Sequence, residues 1–268
     1  MPYAEVIGSP VAHTKSPIIH NFWLTKLGIK GEYRAIEVTP DALADFIERR
    51  SVDPDWRGCN VTIPHKITVM GHVADPGDVR ASIGAMNTIT RDRDGLVIGT
   101  NTDAAGFYAP IADMDLAGEL VAVIGSGGAA HAVLFALARA GVTDVALLAR
   151  NPLKGAALLA RFGLKGSVHN IKATLPPVAL LVNATSLGMT GQPPLKIDLS
   201  PLLDDAVVYD LVYAPLQTQL LAAAESRGLA TVGGLDMLVG QAAFAFELFF
   251  GASPPRDCDD ELMALLTK

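Results

Sequence analysis

The chain of 268 residues is short of cysteine, of basic charge and of long apolar runs, and each shortage excludes something. Its two cysteines, Cys59 and Cys258, lie far apart with neither a C-x-x-C nor a metal-ligand spacing. No metal is therefore expected, and a reducing compartment is the simplest setting. Lys and Arg number 21 against 28 Asp and Glu, a formal net charge of −7. That balance argues against a general nucleic-acid or anionic-membrane surface and leaves room only for local basic pockets that take phosphate. The start, "MPYAEVIGSP", has no basic segment and no long apolar run, so no signal peptide is expected. The most apolar stretch, "MLVGQAAFAFELFFG", is shorter than a membrane span and carries Gln241 and Glu247, as a helix buried in protein would. No internal repeat or low-complexity tract stands out. A soluble, cytoplasmic protein is the expectation, with a small molecule rather than nucleic acid or membrane as its partner.

Half of the residues are hydrophobic and only 18% are charged, enough for a sizeable core. Short β-type runs alternate with helix-type segments: "AEVIG", then a helix near "PIIHNFWLTKLG", then "EYRAIEV", a helix from about Pro40 to Arg49, and "GCNVTIP". "MNTITRDRDGLVIGTNTD" reads as two strands around an Asp-Gly turn. A second block begins at the continuous apolar run "LVAVIG" and proceeds through "AAHAVLFALARAG", "VALLAR", "ALLVNAT", "AVVYDLVY" and "LATVGG". This pattern predicts an α/β protein. Its N-terminal domain would have a mainly parallel sheet over residues 1–103, completed by C-terminal helices over 236–268. A doubly wound, Rossmann-type domain would occupy 104–235.

"VAVIGSGGAAHAV" places Gly125, Gly127 and Gly128 directly after a strand and before a helix. Such glycines permit a tight turn and a close approach of backbone to pyrophosphate, which the helix N-terminus then favours. Ala130 stands where a third glycine often lies. The end of the next strand reads Ala149, Arg150, Asn151, with Lys154 just beyond. No carboxylate is present to hold ribose hydroxyls, whereas Arg150 can pair with a 2′-phosphate, so NADP is predicted over NAD.

Polar groups also cluster at predicted loop and strand ends of the first block: Thr14 and Ser16 in "HTKSP"; Asn60, Thr62 and Lys66 in "NVTIPHK"; Asn87 in "GAMNT"; Asp103 in "GTNTDAAGF". Alternate residues of a strand share a face, so Asn60 and Thr62 should point the same way. Hydroxyls and amides suit a polyhydroxylated ligand. One lysine and one aspartate suit proton transfer. His13 and His65 flank these groups but have no acid partner or metal spacing, and packing or exposure explains them better.

Together with "NATSLGM", "DLVYAPLQTQLL" and "GLDMLVGQAAFAFELF", these motifs resemble, in order and over nearly the whole length, the NADP-dependent shikimate dehydrogenases of aromatic amino-acid biosynthesis. The resemblance implies that Lys66 is the acid/base in the reversible reduction of 3-dehydroshikimate, with Asp103 beside it. It implies that Thr14 and Ser16 grip a carboxylate with Tyr213 near it, and that Thr62, Asn87 and Gln241 bind or orient ring hydroxyls. For the cofactor it implies the loop Gly125, Ser126, Gly127, Gly128 and Ala129, then Arg150, Asn183, Thr185, Leu211 and Gly234, with Asp78 on the nicotinamide side. Two positions depart from the family pattern. Thr14 replaces the first serine of Ser-x-Ser, and "ARN" replaces Asn-Arg-Thr. Both keep open a broader quinate/shikimate dehydrogenase with relaxed cofactor preference. A monomer or a homodimer fits the resemblance.

Overall fold

A computed structural model describes all residues, 1–268. The chain begins with β1 (Tyr3–Gly8), α1 (Ser16–Lys26), β2 (Glu32–Glu37), α2 (Leu43–Ser51), β3 (Trp56–Val61), α3 (Val79–Ser82), β4 (Thr88–Arg91) and β5 (Val97–Thr100). It continues through α4 (Asp103–Tyr108), β6 (Leu120–Ile124), α5 (Gly128–Arg139), β7 (Asp144–Leu148), α6 (Pro152–Arg161) and β8 (Lys165–His169). Then follow β9 (Leu180–Asn183), β10 (Val207–Asp210), α7 (Gln219–Ser226), β11 (Ala230–Val232), α8 (Gly234–Phe250) and α9 (Asp259–Leu266). Two compact units result: Met1–Thr102 with Val239–Lys268, and Asp103–Leu238. No helix is long and apolar enough to cross a membrane.

The first unit holds a five-stranded sheet in the order β2-β1-β3-β4-β5. β2, β1 and β3 are parallel, and β4 alone runs against its neighbours, so the sheet is mainly parallel as expected. The Asp-Gly turn forms as predicted: Asp92 Oδ1 accepts from the backbone N–H groups of Asp94 and Leu96, at 3.0 and 2.9 Å, and closes the β4–β5 hairpin.

Two of the polar side chains fully enclosed in this unit bear on its stability. Glu5, on the interior strand β1, is 0% exposed, and Arg50 from the last turn of α2 donates to both of its oxygens, at 2.8 and 2.9 Å. Arg34 lies 3.3 Å from the same carboxylate and over the Tyr3 ring. The Tyr3 hydroxyl donates to Asp53, and burial together with that bond pushes its pKa up to about 12.

The second side chain is His20 of α1. It stacks face to face on Tyr33 at 3.9 Å between ring centroids, and Trp23, Phe246 and Phe249 surround it. Neither ring nitrogen has a hydrogen-bond partner, and burial lowers its pKa from 6.5 to about 3. The folded state therefore refuses a proton that the unfolded chain accepts below 6.5, and stability falls as pH drops from there toward 3. At a pH near 5 the loss from this group is about 2 kcal/mol. Thermal melting across that range is expected to drop less steeply in His20→Phe than in the parent chain. Parallel curves would show that His20 does not titrate as described.

The second unit holds a six-stranded, all-parallel sheet in the order β11-β10-β9-β6-β7-β8. Alternate residues of β6 feed opposite faces: Val121 and Val123 pack in one apolar cluster, Ala122 and Ile124 in the other. A sheet covered on both faces explains the unbroken apolar run in the sequence. The strand order reverses between β6 and β9, the place where such sheets open a crevice for ligands.

Candidate active site

In the first unit the polar candidates gather where β1, β3 and β5 end and β4 begins. The loop after β3 is stitched on two sides. Thr62 N–H donates to the Ile7 carbonyl, Ser9 N–H to that of Ile63, and Met86 N–H to that of Lys66, at 2.7–2.9 Å. This holds Thr62 and Lys66, both half-buried, just beyond the strand end. His65 faces inward, is 1% exposed, and sets its Nε2 against the Val38 carbonyl at 2.6 Å, while His13 is exposed. One histidine is thus packed and the other exposed, the two settings the sequence suggested for them.

Thr14 and Ser16 pair directly. The Thr14 hydroxyl donates to Ser16 Oγ at 3.2 Å and accepts from the Ser16 N–H at 3.3 Å. Ser16 opens α1, so two hydroxyls meet the positive end of a helix, a good seat for a carboxylate.

Asn87 is 2% exposed and Gln241 6%. The Asn87 amide donates to Thr102 Oγ1 at 2.9 Å and to Gln241 Oε1 at 3.4 Å, and its oxygen accepts from the Thr102 N–H at 2.7 Å. Asn60 joins the same cluster. Its oxygen accepts from the Tyr33 hydroxyl at 2.6 Å, and its NH₂ donates to Thr88 Oγ1 at 3.0 Å. Being 5% exposed with partners at both ends of its amide, Asn60 braces the neighbouring groups from within. Thr62 lies past the end of β3 and half-buried, so the two do not share one environment. Asp78 is exposed, in the left-handed region with φ 52°, at the start of α3. It is Asp75 that caps α3, accepting from the N–H groups of Val79 and Arg80.

In the second unit the glycine turn stands at the switch point. A Cβ on Gly125, whose φ is +115°, would lie 2.9 Å from the Ala184 carbonyl, so glycine alone lets β6 and β9 close up here. Gly127 precedes α5 with open space around it, and Ala130 is packed in the core. Across the crevice Asn183 is fully enclosed. It donates to Asp210 and to the Leu187 carbonyl, and accepts from the Thr185 hydroxyl and N–H, so it shapes the loop rather than offering its own amide. Burial raises the Asp210 pKa against three hydrogen bonds that lower it. Gly234 lies so close to Leu211 that a side chain would strike the Leu211 carbonyl.

At the end of β7, Arg150 and Lys154 are exposed, and Asn151 is spent as the cap of α6, accepting from the Lys154 N–H at 3.1 Å. This crevice fits NADP: a backbone cradle, a helix N-terminus, no carboxylate at the end of β7, and an exposed guanidinium. Asp103 opens α4 and is 4% exposed, and Tyr213 is half-buried beyond β10.

Sequence reasoning passed over Tyr33, Thr88, Thr102 and Asp210. Thr88 and Thr102 lie inside motifs already quoted, "GAMNT" and "GTNTD", and adjoin the residues chosen from them. Nothing in the sequence marks Tyr33.

The all-parallel sheet with a glycine turn at its switch point, in a chain whose other unit gathers hydroxyls, amides and a lysine at strand ends, defines a pyridine-nucleotide-dependent oxidoreductase. Comparison narrows the class. The family model described as the shikimate dehydrogenase substrate binding domain matches residues 6–89, and that of the shikimate 5′-dehydrogenase C-terminal domain matches residues 234–262. The chain is 68% identical over 265 residues to the NADP(+) shikimate dehydrogenase of Sphingopyxis alaskensis, covering 99% of this chain and 97% of that one. It is 48% identical to the enzyme of that name from Methylobacterium radiotolerans, covering 94% and 93%. The crystal structure of the Thermus thermophilus shikimate 5-dehydrogenase with NADP(H) and shikimate superposes with a TM-score of 0.87 at 34% identity, covering 99% of this chain and all of that one. The chain belongs to the shikimate dehydrogenase family.

Proposed function

We propose that this chain catalyses the reversible NADPH-linked reduction of 3-dehydroshikimate to shikimate, on the route to chorismate and the aromatic amino acids. The observation that carries the reading is end-to-end similarity at 68% identity to an NADP-dependent shikimate dehydrogenase, with the expected side chains present at strand ends. The first unit would bind the substrate and the second the cofactor. Thr14 and Ser16 would hold the carboxylate at the start of α1, together with Tyr213. Thr62, Asn87 and Gln241 would bind the ring hydroxyls, while Asn60 supports them from below.

When bound, NADPH supplies the hydride. Lys66 Nζ would deliver the proton to the carbonyl oxygen, and in the oxidative direction take it from the hydroxyl. Asp103 would accept a hydrogen bond from a substrate hydroxyl and keep the ammonium group in place. The cofactor phosphates would rest on the loop Gly125–Ala129, with Arg150 and Lys154 at the 2′-phosphate. The backbones of Asn183–Thr185, Leu211 and Gly234, and Asp78 near the nicotinamide, would complete the seat.

Steady-state NADPH formation from shikimate tests the activity; tight NADP binding with no turnover of shikimate would refute it. Arg150→Ala tests the cofactor assignment separately. Loss of a charge-assisted bond to phosphate is expected to raise the KM for NADP by about tenfold or more. The KM for NAD should stay nearly constant. An equal change for both cofactors would remove Arg150 from the 2′-phosphate.

A further inference from the structure

One face of the first sheet carries a row of hydrogen-bonding side chains that crosses from strand to strand. Tyr33 on β2 is in register with Ala4 on β1, Val6 on β1 with Asn60 on β3, and Asn60 with Thr88 on β4. Residues paired in register share a face, and the small Ala4 side chain leaves room for the phenol to reach across β1 toward Asn60.

Tyr33 is held on three sides. His20 stacks on its ring, and the Asn21 side chain accepts from its N–H at 2.9 Å and donates to its carbonyl at 2.7 Å. Its hydroxyl donates to Asn60 Oδ1 at 2.6 Å, and the ring is 1% exposed.

Donor and acceptor chemistry gives this row a direction. Tyr33 offers one hydrogen, so the Asn60 oxygen faces β2 and its NH₂ faces Thr88. Thr88 Oγ1, accepting from Asn60, has a single hydrogen to give, with Asn87 Oδ1 at 3.1 Å and Thr102 Oγ1 at 3.2 Å within its reach. The bond from Thr88 and the one from the Thr102 N–H at 2.7 Å together hold the Asn87 oxygen, which turns its NH₂ toward Thr102 and Gln241. Without the phenol hydrogen the Asn60 amide can flip. Its oxygen would then claim the Thr88 hydrogen, and Asn87 would lose one of the bonds that set its orientation.

We infer that Tyr33 is a positioning residue: through Asn60 and Thr88 it fixes the amide orientation of Asn87, and so tunes affinity for the hydroxylated substrate without touching it. This rests on the reading of Asn87 as a substrate contact.

The test is a double-mutant cycle of Tyr33→Phe and Asn87→Ala, read as KM for shikimate and for NADP. Phenylalanine keeps the ring and its stack on His20. Tyr33→Phe is expected to raise the shikimate KM about five- to tenfold, the equivalent of roughly one hydrogen bond. The NADP KM should stay within about twofold. In the Asn87→Ala background the same change is expected to add nothing further. Thr88→Val breaks the row one link on and should reproduce the effect, while Thr88→Ser restores it.

If Asn87→Ala leaves the shikimate KM unchanged, the reading of Asn87 fails first. If Asn87→Ala raises it and Tyr33→Phe does not, or if the two effects simply multiply, the positioning role is overturned. A Tyr33→Phe variant that loses only thermal stability, with both KM values intact, overturns it as well.

Discussion

Replacement of Lys66 by alanine is expected to lower kcat by about 10²- to 10⁴-fold while NADP still binds, the range lost when a positioned proton donor is removed. Reduction of a carbonyl leaves negative charge on its oxygen, and a proton must arrive there for the alcohol to form. Lys66 is the cation that the loop after β3 carries, and backbone bonds to β1 and to the lead-in of β4 hold that loop. The neighbouring His65 is no substitute, since its ring is enclosed and its Nε2 is set against the Val38 carbonyl. The contacts proposed for the cofactor phosphates all come from the second unit, so the dissociation constant for NADP should change by less than about threefold. Single-turnover rates and equilibrium titration of NADP separate the two effects. Turnover near the parent level in Lys66→Ala would remove this lysine as the acid/base.

The second large effect is structural. Arg50→Ala is expected to destabilise the first unit by about 3 kcal/mol or more, because it strips the paired guanidinium from a fully buried carboxylate. Glu5 would keep only Arg34, at 3.3 Å, and the bidentate geometry would be gone. The Arg50 stem and guanidinium also cover Tyr3 and Phe46, so packing is lost along with charge. The adjacent Arg49 is exposed and bonds only to a carbonyl in its own helix. Arg49→Ala should therefore change stability by less than about 0.5 kcal/mol. Urea unfolding of the pair decides: equal midpoints would mean that Glu5 does not depend on Arg50.

Much of this was legible in the sequence because the strongest signals are local. The apolar run of β6, the glycines after it and the helix periodicity of α5 report burial and turn geometry directly. β8 went unread for the opposite reason. It is an edge strand of mostly exposed residues, "KGSVH", with no apolar run or clean alternation. The candidate site divides in the same way. Lys66, Asn87 and the Thr14–Ser16 pair stand out because polar groups crowd strand ends. Asn60 and Asn183 carry the right chemistry, but their amides are bonded inside the protein to neighbours remote in sequence. Tyr33 is the extreme case. A tyrosine in a strand is ordinary by propensity, and only the register across β1 brings its hydroxyl to Asn60. His20 and Glu5 likewise gain their meaning from what encloses them.

The central claim is a substrate and a cofactor together, so the most direct measurement is kcat/KM for shikimate and for quinate, each with NADP and with NAD, on the purified protein. The account predicts that shikimate with NADP gives the highest value. A higher value for quinate, or for NAD with shikimate, would contradict it.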